Sequence, residues 1–132
     1  WVAQIGMGAT RVPPQQAFVE AMAYEGPSVI IAYSPCIAHG INMMESAKIA
    51  KDAVECGYWP LYRFNPSRPK GERFSWDAHE PRGDFLNFVQ NERRFSALYD
   101  RAPDEADSLL ELARKESQRN WRFLQKLGAL MN

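Results

Sequence analysis

Residues 27–40, Pro-Ser-Val-Ile-Ile-Ala-Tyr-Ser-Pro-Cys-Ile-Ala-His-Gly, restrict the possible folds more than any other stretch of this chain. Val29 to Tyr33 is apolar on both alternating faces, the pattern of a strand covered on both sides rather than of a half-exposed hairpin strand. It predicts a buried central strand of a parallel sheet. The run stops at Pro35, Cys36, His39 and Gly40. Ligands of open α/β sheets gather beyond the carboxyl ends of the strands, so Cys36 and His39 stand where chemistry is expected.

The flanking sequence supplies the rest of such a sheet. Val2-Ala3-Gln4-Ile5 reads as a first strand closing on Gly6-Met7-Gly8; with no G-x-G-x-x-G and no Walker lysine, these glycines fit a plain strand end better than a phosphate loop. Val12-Pro13-Pro14 opens a helix whose apolar face is Ala17, Phe18, Ala21 and Met22, stopped by Gly26-Pro27. Strand, helix and strand in that order predict a right-handed βαβ unit with parallel strands.

Met44 to Glu55 carries Ala47, Ile49, Ala50, Ala53 and Val54 at helical spacing, with Gly57 as cap. Tyr58 to Phe64 is strand-like, but Pro60 moves it to the sheet margin or delays its start past the proline. Pro66, Pro69, Gly71 and Pro81 describe a surface excursion in which Phe74-Ser75-Trp76 packs or pairs briefly. Asp84 caps an expected helix through Phe85, Phe88, Val89, Phe95 and Leu98. A last helix runs from Pro103-Asp104 to about Leu130, with Leu110, Ala113, Leu124 and Leu127 buried and Glu111, Arg114, Lys115, Glu116 and Arg119 wet. The expected organisation is an α/β core over 1–64, a loop excursion over 65–82 and a C-terminal helical region over 83–132.

A formal net charge of +0 removes the basic excess that nucleic acid or an anionic membrane usually calls for. No apolar run approaches the ~20 residues of a membrane span, and no basic-then-apolar leader precedes the first strand. The expected location is cytoplasmic. Because Trp1 enters a strand pattern at once, the chain is expected to begin inside a larger polypeptide. Two cysteines, Cys36 and Cys56, do not make the disulfide framework of a small secreted domain.

From spacing alone three readings of Cys36 stay open. Free cysteine is commonly a small buried hydrophobe. A thiolate past a strand end is, alternatively, stabilised by backbone N–H groups and presented to a cofactor. Cys36 and His39 could also share a zinc ion, although zinc wants four ligands and Cys56 is the one other soft donor. A Cys36–His39 nucleophilic pair lacks an orienting carboxylate, and His39 fits a hydrogen-bonded loop residue better than a ligand. Gly83-Asp84 with Asn87 and Asn91 is placed to start a helix rather than to hold a metal. Arg68, Lys70, Arg73 and Arg82 interleave with Phe74 and Trp76, but Glu72, Asp77 and Glu80 neutralise much of that charge, which leaves a solvated loop. Tyr58-Trp59 fits core better than a stacking platform.

Three ordered segments narrow the choice: Val2 to Ala9, Gly26 to Ile41, and Glu55-Cys56-Gly57-Tyr58-Trp59-Pro60-Leu61-Tyr62-Arg63-Phe64-Asn65-Pro66. Together they resemble the C-terminal part of the thiamine-diphosphate domain of the pyruvate:ferredoxin (flavodoxin) oxidoreductases, with looser likeness through Asn91-Glu92-Arg93-Arg94-Phe95 to the last helix. The resemblance implies a partial thiamine-diphosphate-binding α/β fold with a parallel βαβ core and a C-terminal helical appendage. It implies oxidative decarboxylation of pyruvate to acetyl-CoA and CO2, with electron transport through 4Fe–4S iron–sulfur clusters to ferredoxin or flavodoxin, and a homodimeric enzyme. It makes Cys36 the metal-binding and cofactor-binding residue, one ligand of the cluster nearest the thiamine, while Cys56, where the family commonly carries serine, is structural. The family's Gly-Asp-Gly motif for Mg2+ and diphosphate, and its other cluster cysteines, lie upstream of the residues matched here. The segment by itself is therefore expected to be inactive. The alternative is a truncated, non-catalytic subunit or assembly module with the same fold.

Overall fold

A computed structural model of the chain describes residues 1–8 and 14–132. The elements are β1 (Val2–Gly6), α1 (Pro14–Ala23), β2 (Val29–Tyr33), α2 (Ser46–Glu55), β3 (Tyr62–Phe64), β4 (Phe74–Trp76), α3 (Phe85–Gln90), α4 (Arg93–Arg101) and α5 (Pro103–Met131). The fold is mixed α/β. β1 and β2 run parallel, Val2 opposite Val29 through Gly6 opposite Tyr33, as strand–helix–strand predicts. The helix starts on the expected Pro14; Ala9, Val12 and Pro13 lie outside the described residues.

The sheet order is β2-β1-β3-β4, and it corrects two expectations. β2 is an edge strand, not a central one: Val29 is 52% and Ile31 41% exposed. Its composition meets the demand of a covered strand, but among the described residues no strand pairs with its outer side. Of the two consequences drawn from Pro60, the start delayed past the proline holds, β3 beginning at Tyr62, but the place at the sheet margin does not. Pro60 is buried just before β3 and its carbonyl accepts a hydrogen bond from Gln4 Nε2 (2.8 Å), so no strand amide is lost there. β3 then pairs antiparallel with β1 on one side and β4 on the other. Phe74-Ser75-Trp76 thus forms the far edge, with Phe74 buried.

One core lies between α1 and the sheet, from Trp1, Ala3, Ile5 and Ala17. Phe18 and Met22, expected on the inner face of α1, are exposed. The larger core gathers Ile49, Ala50 and Ala53 of α2, Phe85, Phe88 and Val89 of α3, and Leu110 of α5 around Tyr33 at the end of β2. Burying a side chain such as Leu110 or Val89 contributes about 1.5–3 kcal/mol. Met44, in a short 3-10 turn (Met43–Glu45) before α2, and Ala47, in the first turn of α2, are exposed and lie outside this core. Gly57 (φ 82°) ends α2 in the left-handed conformation, as expected.

The helix expected from Asp84 through Leu98 is two helices. Asp84 does cap the first, its Oδ1 accepting from the amides of Leu86 (3.0 Å) and Asn87 (3.2 Å). The break comes at Glu92, whose backbone is extended (φ −100°, ψ 122°). In α5, Ala106, Leu110, Trp121 and Gly128 are buried, whereas Ala113, Leu124 and Leu127 are half-buried. Trp121 meets Trp76 with ring centroids 5.1 Å apart, and Gly128 lies against Phe74, so α5 closes over the β4 end of the sheet. Asn132 fastens that end, its Oδ1 accepting from the Phe74 amide at 2.7 Å.

Candidate functional site

Beyond the carboxyl end of β2 the chain makes one tight turn. Cys36 (φ −133°, ψ 146°) caps a short 3-10 turn over Ile37–His39. Its Sγ accepts a hydrogen bond from the Ala38 amide at 3.4 Å, and its carbonyl accepts from the His39 amide at 2.9 Å. The thiol is exposed. Among the described residues Cys36 is not packed as a buried hydrophobe, and the expected backbone N–H to sulfur contact is present. Gly40 closes the turn at φ 71°, its amide donating to the Ile37 carbonyl. A Cβ at Gly40 would overlap the Arg93 Cβ, so the turn sits directly on the start of α4.

His39 is half-buried, and its Nδ1, expected to be hydrogen-bonded, finds no partner among the described residues. Cys56 stands apart. It is buried in the larger core, its thiol donating to the Ala53 carbonyl (3.5 Å), and burial pushes its pKa up to about 11. Both cysteines are free. Among the described residues no three His, Cys, Asp or Glu side chains gather as a metal site.

The donor chemistry at Cys36 is that of a single soft ligand. A soft thiol receiving an N–H···S hydrogen bond has the chemistry of a thiolate metal ligand, iron–sulfur ligands included.

Beneath the turn lies a polar contact that residue spacing did not flag. Tyr33 Oη donates to Glu92 Oε1 at 3.0 Å, and Arg94 donates to the other carboxylate oxygen. Burial, then the Glu92 charge, push the Tyr33 hydroxyl well above the usual tyrosine range. Arg94 also donates to Tyr58 Oη (3.2 Å) and lies over the Phe95 ring at 4.7 Å. The one sequence signal for this contact is a polar Asn-Glu-Arg-Arg run interrupting apolar helical spacing. Tyr58 packs on Phe88, Trp59 donates to the Ile5 carbonyl at 2.9 Å, and Trp76 packs on Trp121, so these aromatics are core, as expected for Tyr58-Trp59. An apolar groove lined by Tyr58, Phe85, Phe95 and Phe123 is separate from residues 34–40.

The fold and site define a mixed α/β segment that presents one exposed thiol beyond a parallel strand. No family model matches the chain. It is 41% identical over 130 residues to the pyruvate:ferredoxin oxidoreductase of Moorella thermoacetica, a match covering 97% of this chain and 11% of that protein. It is 40% identical over 131 residues to the pyruvate-flavodoxin oxidoreductase of Rhodospirillum rubrum, covering 98% of this chain and 11% of the relative. A probable pyruvate-flavodoxin oxidoreductase of Escherichia coli is 36% identical over 130 residues. Over nearly its whole length, the chain is a homologue of one segment of the pyruvate:ferredoxin/flavodoxin oxidoreductases. It spans 11% of the length of these relatives.

Proposed function

We propose that this chain is the Cys36-bearing segment of a 2-oxoacid oxidoreductase that converts pyruvate to acetyl-CoA and CO2, and that the Cys36 thiolate is one ligand of a 4Fe–4S cluster. The observation that carries the reading is the exposed Cys36 thiol beyond the end of β2, held by the Ala38 amide. When bound, such a cluster supplies a one-electron relay between thiamine diphosphate and ferredoxin or flavodoxin. This chain's own contribution is positional. The strand fixes where the thiol sits, the Ala38 N–H withdraws charge from the sulfur, and Gly40 closes the turn in the left-handed conformation.

The remaining cluster ligands, the thiamine diphosphate and Mg2+ motif, and the coenzyme A site belong to parts of the enzyme outside these residues, and the enzyme is a cytoplasmic homodimer. The segment alone is inactive. Among the described residues no helix is long and apolar enough to cross a membrane.

The test is Cys36→Ala in the full-length protein, with iron, electron paramagnetic resonance and circular dichroism measured together. The expected result is loss of one cluster's iron and of electron transfer to ferredoxin, with the circular dichroism spectrum unchanged. Full iron content and wild-type ferredoxin reduction overturn the assignment.

A further inference from the structure

Glu92 is 1% exposed, and it is placed there at a cost. A buried carboxylate loses several kcal/mol of hydration, regained when partners of good geometry surround it. To bring it inward the helix expected through this region is interrupted, with Glu92 extended between α3 and α4. Its backbone still serves the helices, the amide donating to Val89 and the carbonyl accepting from Phe95 and Ser96. The side chain makes no capping bond of its own. It points instead to Tyr33, the last residue of β2 and three residues before Cys36.

The next residue in the break meets the other end of the same turn. The Arg93 Cβ occupies the space that a side chain at Gly40 would need. Two consecutive residues therefore flank the segment that carries Cys36: Glu92 holds the end of β2 through the Tyr33 hydroxyl, three residues before the cysteine, and Arg93 abuts the close of the turn at Gly40. Arg94 completes the arrangement, bound to Glu92 and Tyr58 and lying over Phe95. That gives the carboxylate a fixed cation and leaves its other oxygen for Tyr33. A hydrophobic pair of similar volume would fill this space without the charge, so a purely packing role does not require Glu92.

We propose that Glu92, acting through Tyr33, is a positioning residue for Cys36, fixing the direction of the thiolate and the electrostatic setting of the cluster it ligates. The proposal rests on the ligand reading of Cys36. Cluster potentials respond to ligand orientation, to hydrogen bonds at sulfur and to nearby charge, so a residue with this role alters a potential, whereas one that only supports the fold alters melting alone.

The experiment uses the full-length protein with its clusters in three variants, Cys36→Ala, Glu92→Gln and Tyr33→Phe. Iron content, melting temperature, electron paramagnetic resonance spectra and potentiometric titrations are recorded for each. Cys36→Ala identifies the cluster concerned. In Glu92→Gln the midpoint potential of that cluster alone moves upward, because a negative charge has been removed while Arg94 remains. In Tyr33→Phe, which removes one hydroxyl and leaves the Glu92–Arg94 pair intact, the same cluster shifts by less at full iron content. Selective loss of that cluster with the fold intact counts equally in favour. If Glu92→Gln does not fold, Tyr33→Phe decides. Wild-type potentials and spectra in the folded variants, with only a lower melting temperature, overturn the positioning role and leave Cys36 as a ligand. Full iron in Cys36→Ala overturns the ligand reading, and this proposal with it.

Discussion

Cys36 and Cys56 are the same side chain in opposite settings. Cys56 ends α2, among Ala53, Phe85 and Phe88, with its thiol turned to a helix carbonyl. Cys36 lies three residues beyond a strand end, is exposed, and accepts a hydrogen bond from an amide instead of donating its own. Sulfur that donates to a carbonyl is held as a neutral thiol. Among the described residues the Cys36 sulfur keeps its own S–H free of a protein acceptor, and it lies open to a metal or a reagent. The difference arises from backbone context: a helix terminus folded into the core against a strand end that runs out of sheet.

The largest contrast is expected in alkylation rate. At pH 8 a thiol with a pKa near 11 is ionised to roughly one part in a thousand, and burial obstructs the reagent as well. With iodoacetamide on the metal-free chain, one thiol should react promptly and map to Cys36, and the second should follow much more slowly until denaturant is added. Equal rates in the native state, read by peptide mass spectrometry, would break the comparison.

A smaller effect follows from linkage. The folded-state pKa of Cys56 is raised from 9.0 to about 11, mainly by burial, so between these values the native state holds a proton that the unfolded state has released. Stability is therefore intact below pH 9 and falls as pH rises through 11, by about 2–3 kcal/mol for this group. Tyr33 adds a loss of the same sign at still higher pH. Chemical denaturation at pH 8, 9, 10 and 11 should show a steeper decline in wild type than in Cys56→Ala. Parallel curves would remove the assigned environment of Cys56.

These contrasts also show what residue order can and cannot carry. The strand–proline–cysteine–glycine series made the Cys36 turn legible, because strand propensity, its termination and the αL glycine are all local properties. The helices were legible for the same reason, as Ile49, Ala50, Ala53 and Val54 show. The place of β2 in the sheet was not. Val29 and Ile31 state that a strand is made to be covered, but not which part of a polypeptide does the covering, and among the described residues the face they share is left exposed and the edge of β2 unpaired. Glu92 was hidden for a related reason. A glutamate in a polar run reads as solvated, and its inward turn depends on Tyr33, 59 residues earlier in the chain. Gly128 was hidden likewise, since its burial depends on the Phe74 ring delivered by β4.

The smallest expected effect is the sharpest discriminator between the two sulfurs. In the metal-free chain Cys56→Ala should lower unfolding stability by about 1–2 kcal/mol, because it removes a buried group from a packed core. Cys36→Ala should stay within about 0.5 kcal/mol of wild type, since an exposed thiol contributes one weak N–H···S contact and little buried area. Urea titrations on the two variants give both numbers directly. A loss at Cys36 as large as at Cys56 would mean that the turn needs its sulfur in order to fold, and the exposed thiol would then be explained by structure alone. A small loss there, with iron missing from the full-length Cys36→Ala protein, leaves metal ligation as the reason this sulfur stands at the end of β2.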